Sequence, residues 1–203
     1  MIVAVEGPSA AGKTTWLRQS VPADHVVPEH GRVEIPADRL VDEATFWAEL
    51  NSERWQAALA VEHSAGHAYC DGDPLKLHYH YCLMQIGMLP WRRFEADVEA
   101  CRREISERRL GVADMIICEV PGPATLDERK HGDPTRQRSN FAVNRRLGPA
   151  LHDWYGALEH LDPGRVRWTF PTTALDVRPR ARFDLELYDA WMTSLPGRPN
   201  TAR

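Results

Sequence analysis

An apolar run, IVAVE at residues 2–6, stops at Gly7-Pro8, and Gly12-Lys13-Thr14-Thr15 then leads into a helix-forming stretch, KTTWLRQS at 13–20, that Pro22 ends. A buried strand followed by a tight loop and a helix is the first unit of a strand–helix alternation, and it restricts the chain to α/β architectures. The alternation continues. HVVP at 25–28 reads as a second strand, and the stretch near 43–63 spaces Phe46, Leu50 and Trp55 along one helical face. GHAYC at 66–70 is a third strand, ended by Asp71. Asp73-Pro74 opens a helix through about residue 88, with Asp as N-cap and Pro as first helical residue. A helix over 91–110 precedes a fourth strand, VADMIICEV at 112–120. A polar connection over 121–133 ends in Asp133-Pro134, which starts a helix to about Leu161; RVRWTF at 165–170 is a fifth strand, and a short helix over 183–194 precedes a Pro/Gly/Arg tail expected to fray. The 203 residues suffice for one substantial core, so the expectation is one domain, residues 1–203, with a parallel sheet covered on both faces.

The first loop has the spacing Gly7-x4-Gly12-Lys13-Thr14, the phosphate-loop pattern G-x-x-x-x-G-K-[ST], in the required place between a strand and a helix. Glycines let backbone amides close around an anion without an intervening side chain, and the positive end of the new helix faces it. Gly7, Pro8, Ser9, Ala10, Ala11, Gly12, Lys13, Thr14 and Thr15 are therefore the nucleotide-binding candidates. Lys13 suits the β- and γ-phosphates of ATP, and the Thr14 hydroxyl suits Mg²⁺.

The chain carries 25 Lys and Arg against 29 Asp and Glu, a net charge of −4, so no basic footprint for nucleic acid is present. No apolar run reaches the ~20 residues of a membrane span, and the first residues lack the order of a signal peptide, so no membrane partner and a cytoplasmic location are expected. Cys70, Cys82, Cys101 and Cys118 form no C-x-x-C pair and read as buried thiols. His78 and His80, two apart on a helix, point to different sides, and His63 and His67 are separated by Gly66, so no structural zinc is expected. Trp47, Trp55 and Trp91 are candidates for the lining of an acceptor pocket.

GPSAAGKTT after the first strand, an acid after each of strands two and three, and an Arg-rich segment after strand four resemble the P-loop kinases of the nucleoside and nucleotide kinase type. The resemblance implies a three-layer α/β sandwich with a five-stranded parallel sheet of order 2-3-1-4-5, and a mobile helical lid, here about 121–140. It implies transfer of the γ-phosphoryl group of ATP to a small-molecule acceptor. Asp71 takes the place of the acid that holds Mg²⁺ or orients the acceptor; Glu119, after MIIC, fits the same pattern. Glu29 stands where deoxynucleoside kinases carry the glutamate that accepts the sugar hydroxyl's proton, and Arg32 could pair with it or bind an acceptor anion. The Asp-Arg pair that thymidylate kinases place after strand three is missing from CDGDPLK, where Lys76 is the nearby cation; this speaks against a nucleoside monophosphate acceptor. In the lid segment DERKHGDPTRQRSN, Arg129, Arg136 and Arg138 can neutralise the transferring group. Arg136 and Arg138 would lie near the first turn of a helix, where cations oppose the dipole unless an anion visits.

The chain is thus expected to be an ATP-dependent small-molecule kinase using Mg²⁺, with Lys13, Asp71, Glu29, Arg129, Arg136 and Arg138 in catalysis and Thr14 and Asp71 on the metal. Either Glu29 or Asp71 could be the base. Nucleosides or nucleotides lead as acceptors, followed by an antibiotic or other natural product. A nucleotide hydrolase or switch is the rival class, weakened by the lack of an N-K-x-D segment, and a non-catalytic nucleotide-binding module is the third. The sequence leaves a homodimer open.

Overall fold

The computed structural model describes residues 1–31, 33–132, 140–173 and 175–197. In chain order the elements are β1 (Ile2–Glu6), α1 (Lys13–Ser20), β2 (Val26–Val27), α2 (Glu43–Ala65), β3 (Ala68–Asp71), α3 (Leu77–Gln85), α4 (Trp91–Ser106), β4 (Met115–Cys118), α5 (Pro123–His131), α6 (Phe141–Asn144), α7 (Gly148–Leu161), β5 (Val166–Arg167) and α8 (Leu185–Ser194). The strands form one all-parallel sheet of order β2-β3-β1-β4-β5, as the alternation and the resemblance implied.

β1 is central because every one of its residues is buried, so it needs neighbours on both edges and cover on both faces. Its side chains alternate accordingly. Ile2 and Ala4 join the larger core, where Trp55 of α2, Tyr81 of α3, Phe94 of α4, Trp154 of α7 and Trp191 of α8 converge. Val3 and Val5 face the smaller core with Leu17 of α1, Ile117 and Val177. The larger core is rich in ring contacts: Trp154 meets Trp191 at 4.6 Å between centroids and Tyr81 at 5.4 Å. All four cysteines are buried there as free thiols.

Several boundaries differ from the sequence reading, each for a local reason. β2 is two residues long, because Pro28 has no N–H to continue the ladder. The helix expected from Pro74 starts three residues later, at Leu77, and Asp73 does not cap it. Asp73 instead accepts the Leu75 N–H at 3.0 Å and the Tyr155 hydroxyl at 3.1 Å, which makes it a buried anchor of the β3–α3 connection. The connection over 121–133 contains α5, begun by Pro123, and the long helix expected up to Leu161 is replaced, among the described residues, by α6 and α7; the Asp133-Pro134 start signal lies outside them. The fifth strand is shortened to Val166–Arg167 because Phe170 leaves the sheet, donating its N–H to Glu119 Oε2 at 3.2 Å and stacking its ring on Trp16 at 5.6 Å.

The outer end of the sheet is tied to α2 and to the segment before α8 by one ion network. Arg182 binds Glu62 of α2 through Nη1 at 2.7 Å and Asp114 through Nε at 2.9 Å, and Asp114 accepts the Ile2 N–H at 2.8 Å. The Arg182 guanidinium holds the Glu62 carboxyl down at about 2. A carboxylate depressed in the folded state contributes stability above its unfolded value, near 4.3, and loses that contribution as pH falls through the folded value. Wild type is therefore expected to exceed Glu62→Gln in urea-unfolding stability at pH 7, with the gap closing as pH is lowered from about 4.3 toward 2.

Candidate functional site

The strand order places the C-terminal ends of β1, β3 and β4 side by side, with Val5 opposite Asp71 and Glu6 opposite Cys118. The loop after β1 crosses this edge before α1. Its backbone is unusual: Gly7 has φ +147°, Gly12 φ +102°, and Ala10, with a side chain, sits in the left-handed region at φ +71°. Backbone that mixes positive- and negative-φ residues is the kind from which anion-binding concavities of N–H groups are made. A non-glycine residue held in that region stores about 1–3 kcal/mol of strain, a cost that concentrates at ligand-binding loops. Gly7 is required sterically, since a Cβ there would stand 2.2 Å from the Glu119 carbonyl oxygen.

One cavity of about 1490 Å³ is lined by all of Gly7–Thr15 together with Glu29, Asp71 and Arg129. Thr14 donates its hydroxyl to Asp71 Oδ2 at 2.8 Å, while Asp71 Oδ1 is buried with no hydrogen-bond partner among the described residues. A hydroxyl and a carboxylate with an uncommitted oxygen are the hard donors that Mg²⁺ takes when it also binds phosphates, so the chemistry of the pair fits that ion. Lys13 Nζ folds back to the Gly7 carbonyl at 2.5 Å and lies 3.6 Å from Glu6 Oε1. Arg129 of α5 reaches the loop as well, donating from Nη1 to the Ala11 carbonyl at 2.5 Å. Arg32, Arg136 and Arg138 lie outside the described residues. Glu119 does not line the cavity; its carboxylate is taken up by the Phe170 N–H.

Glu29 stands across the cavity on the segment after β2, ion-paired with Lys76. Burial acts to raise its carboxyl, but the Lys76 ammonium outweighs this and holds it below the usual range, so Glu29 is an anion at neutral pH. The space above Gly72 lies between Glu6, Glu29 and Arg54: a Cβ on Gly72 would be 3.6, 3.8 and 3.9 Å from their nearest atoms.

Three contributors were not singled out from the sequence. Glu6, 4% exposed, accepts the Gly7 N–H at 2.8 Å and the Asp73 N–H at 3.0 Å, and His78 Nε2 lies 3.2 Å away. Burial tends to raise its carboxyl, yet His78 and the Lys13 ammonium beside it hold it well below the usual range. Glu6 obeys the same acid-after-apolar-strand pattern that drew attention to Asp71 and Glu119. Arg54, 3% exposed, extends from α2 and donates Nη2 to the carbonyls of Asp71 and Gly72 at 3.1 and 3.0 Å. It brings a guanidinium to the end of β3, where CDGDPLK has none, and nothing local to residue 54 signals this. The third is His78, weighed from the sequence only as a zinc ligand and set aside as one. Of the tryptophans, Trp47 lines the cavity; Trp55 is fully buried against Phe183 and beneath Gly111, and Trp91 packs on Phe94.

No family model matches the sequence, and no curated protein matches it. Among solved structures, the fold is similar to that of deoxyadenosine kinase from M. mycoides with bound dATP, at a TM-score of 0.56 and 12% identity over 83% of this chain and 90% of that chain. The likeness is one of fold: an α/β domain built on a five-stranded, all-parallel sheet of order β2-β3-β1-β4-β5. No described helix is long and apolar enough to cross a membrane.

Backbone angle and local space make opposite predictions for two glycines. Gly7→Ala is expected to lose about 2–4 kcal/mol in urea unfolding, from positive φ and overpacking against Glu119. Gly156→Ala, in the middle of α7 with open space around it, is expected to gain up to about 1 kcal/mol.

Proposed function

We propose that this chain is an ATP-dependent small-molecule kinase that transfers the γ-phosphoryl group to a hydroxyl of a nucleoside-like acceptor. The observation that carries the reading is the Thr14–Asp71 pair, with one buried Asp71 oxygen uncommitted, in a cavity that also holds the Gly7–Thr15 loop and the anionic Glu29. Deoxyadenosine kinase as a structural neighbour supports the nucleoside class.

In this reading the loop amides and Lys13 cradle the β- and γ-phosphates, Lys13 moving off Gly7 to do so. Thr14 and Asp71 would hold Mg²⁺, which when bound would neutralise charge on the phosphate oxygens. Arg129, with Arg136 and Arg138, supplies cations to the transferring group from a lid within 121–140. The acceptor oxygen attacks the γ-phosphorus as the bond to the β–γ bridging oxygen breaks, ADP leaves, and the hydroxyl proton passes to Glu29. Glu29 takes the role of base because Asp71 is occupied, in this reading, by Thr14 on one oxygen and the metal on the other. The acceptor half extends along α2 from Arg54 to Trp47, seven residues or about 10 Å, room for a nucleoside or a natural product of similar length. The enzyme is proposed to act as one cytoplasmic domain.

ADP release measured across nucleosides, nucleoside monophosphates and hydroxylated natural products tests the reading. Acceptor-stimulated release is expected, with Glu29→Gln lowering kcat about 10²–10⁴-fold and Lys13→Ala lowering it at least about 10²-fold at unchanged Tm. Equal release without acceptor would instead indicate a hydrolase, and tight nucleotide binding without turnover a binding module.

A further inference from the structure

The two nitrogens of His78 are differently employed. The side chain sits in the first turn of α3 at 5% exposure, with Nε2 3.2 Å from Glu6 Oε2. Nδ1 is buried without a hydrogen-bond partner among the described residues, and His78 lines the cavity. Nε2 faces the Glu6 carboxylate and so carries a hydrogen, whereas a hydrogen on Nδ1 would be a buried donor with nothing to receive it; Nδ1 is therefore the ring's acceptor. A buried polar atom without a partner is costly and calls for one that a ligand can supply.

Glu6 is the point where this imidazole meets the phosphate loop. Its Oε1 accepts from Gly7 N and faces Lys13 Nζ at 3.6 Å; its Oε2 accepts from Asp73 N and from His78. Before Lys13 can bind phosphate it must leave Glu6 and the Gly7 carbonyl. What then remains on the carboxylate is two backbone N–H groups and His78. The strength of the His78 hydrogen bond therefore governs how firmly Glu6 retains the lysine, because hydrogen bonds in a chain polarise one another.

We propose that His78 is a positioning residue that couples the acceptor half of the cavity to the phosphate loop: an O–H or N–H of the acceptor donates to Nδ1, the ring donates more strongly from Nε2 to Glu6, and Glu6 releases Lys13 to the nucleotide. The inference rests on the phosphoryl-transfer reading and deepens it in two ways. The acceptor carries a hydrogen-bond donor besides the hydroxyl that is phosphorylated, and nucleotide and acceptor bind with positive, reciprocal coupling.

The test is calorimetric binding of Mg–AMP-PNP to the full chain, alone and with the panel acceptor of highest turnover, deoxyadenosine being among those tried. In wild type the acceptor is expected to tighten AMP-PNP binding about tenfold, within the usual range of coupling between sites. His78→Phe removes the donor to Glu6 and is expected to weaken binding of AMP-PNP alone about fivefold, with Tm recorded to verify the fold. His78→Gln can keep an N–H on Glu6 but has no ring nitrogen at Nδ1; it should rescue AMP-PNP binding relative to His78→Phe and reduce the acceptor's enhancement to less than about twofold. Undiminished enhancement in His78→Gln, or wild-type AMP-PNP affinity in a folded His78→Phe, would overturn the inference while leaving the kinase reading standing. Failure of wild type to bind Mg–AMP-PNP would overturn the kinase reading itself. If nucleotide binds and no acceptor is found, the acceptor-free comparison of His78→Phe with wild type decides the Glu6 link.

Discussion

Parallel pairing of β1 with β3 on one side and β4 on the other is the constraint from which the rest of this structure follows. With Val5 opposite Asp71 and Glu6 opposite Cys118, three strand ends reach one edge of the sheet together. Strand neighbours lie roughly 4.8 Å apart, so acids that close different strands are delivered within reach of one loop. The same pairing buries both faces of β1, which demands helices on each side and makes the crossover connections obligatory. Site and core are thus two results of a single register.

At that edge the balance is electrostatic. Glu6 has almost no contact with solvent, and an isolated carboxylate there would be strongly disfavoured. It stays ionised because two backbone N–H groups, His78 and Lys13 surround it. Asp73, nearby and equally buried, is pushed the other way: burial raises its carboxyl, and the proximity of Glu6 adds to this. Two acids under one cavity therefore differ in character through their surroundings alone. Arg54 contributes in a different manner, since its guanidinium fastens the carbonyls after β3 and so fixes the backbone that carries Asp71.

Much of this architecture was legible in the linear text. The apolar runs around Val3, Cys70 and Ile117 are short, continuous and bounded by Gly, Pro or acids, and each became a parallel strand at its expected place. The tight turn between β1 and α1 was legible because its glycine spacing reflects backbone geometry, and Asp71 because an acid after a buried strand stands out. Boundaries were less legible. Asp73-Pro74 has the composition of a helix start, yet the Asp73 side chain is drawn to Tyr155, 82 residues away. Phe170 has the composition of a strand residue, yet stacking on Trp16 takes it out of the sheet. Local preferences of about 1 kcal/mol give way when a buried aromatic or a buried carboxylate has a better partner elsewhere.

What the sequence determined by itself was the alternation, the sheet that must follow from it, and a glycine-bearing turn between β1 and α1, because each depends on contacts within a few residues or on a repeating period. What only the tertiary structure decided was which distant side chains share the cavity: Arg54 from the middle of α2, His78 from α3, Trp47 chosen over Trp55 and Trp91, and Asp71 rather than Glu119 beside Thr14. Those choices depend on helix rotation and strand order. They arise from packing among residues far apart along the chain, and no spacing within one segment records them.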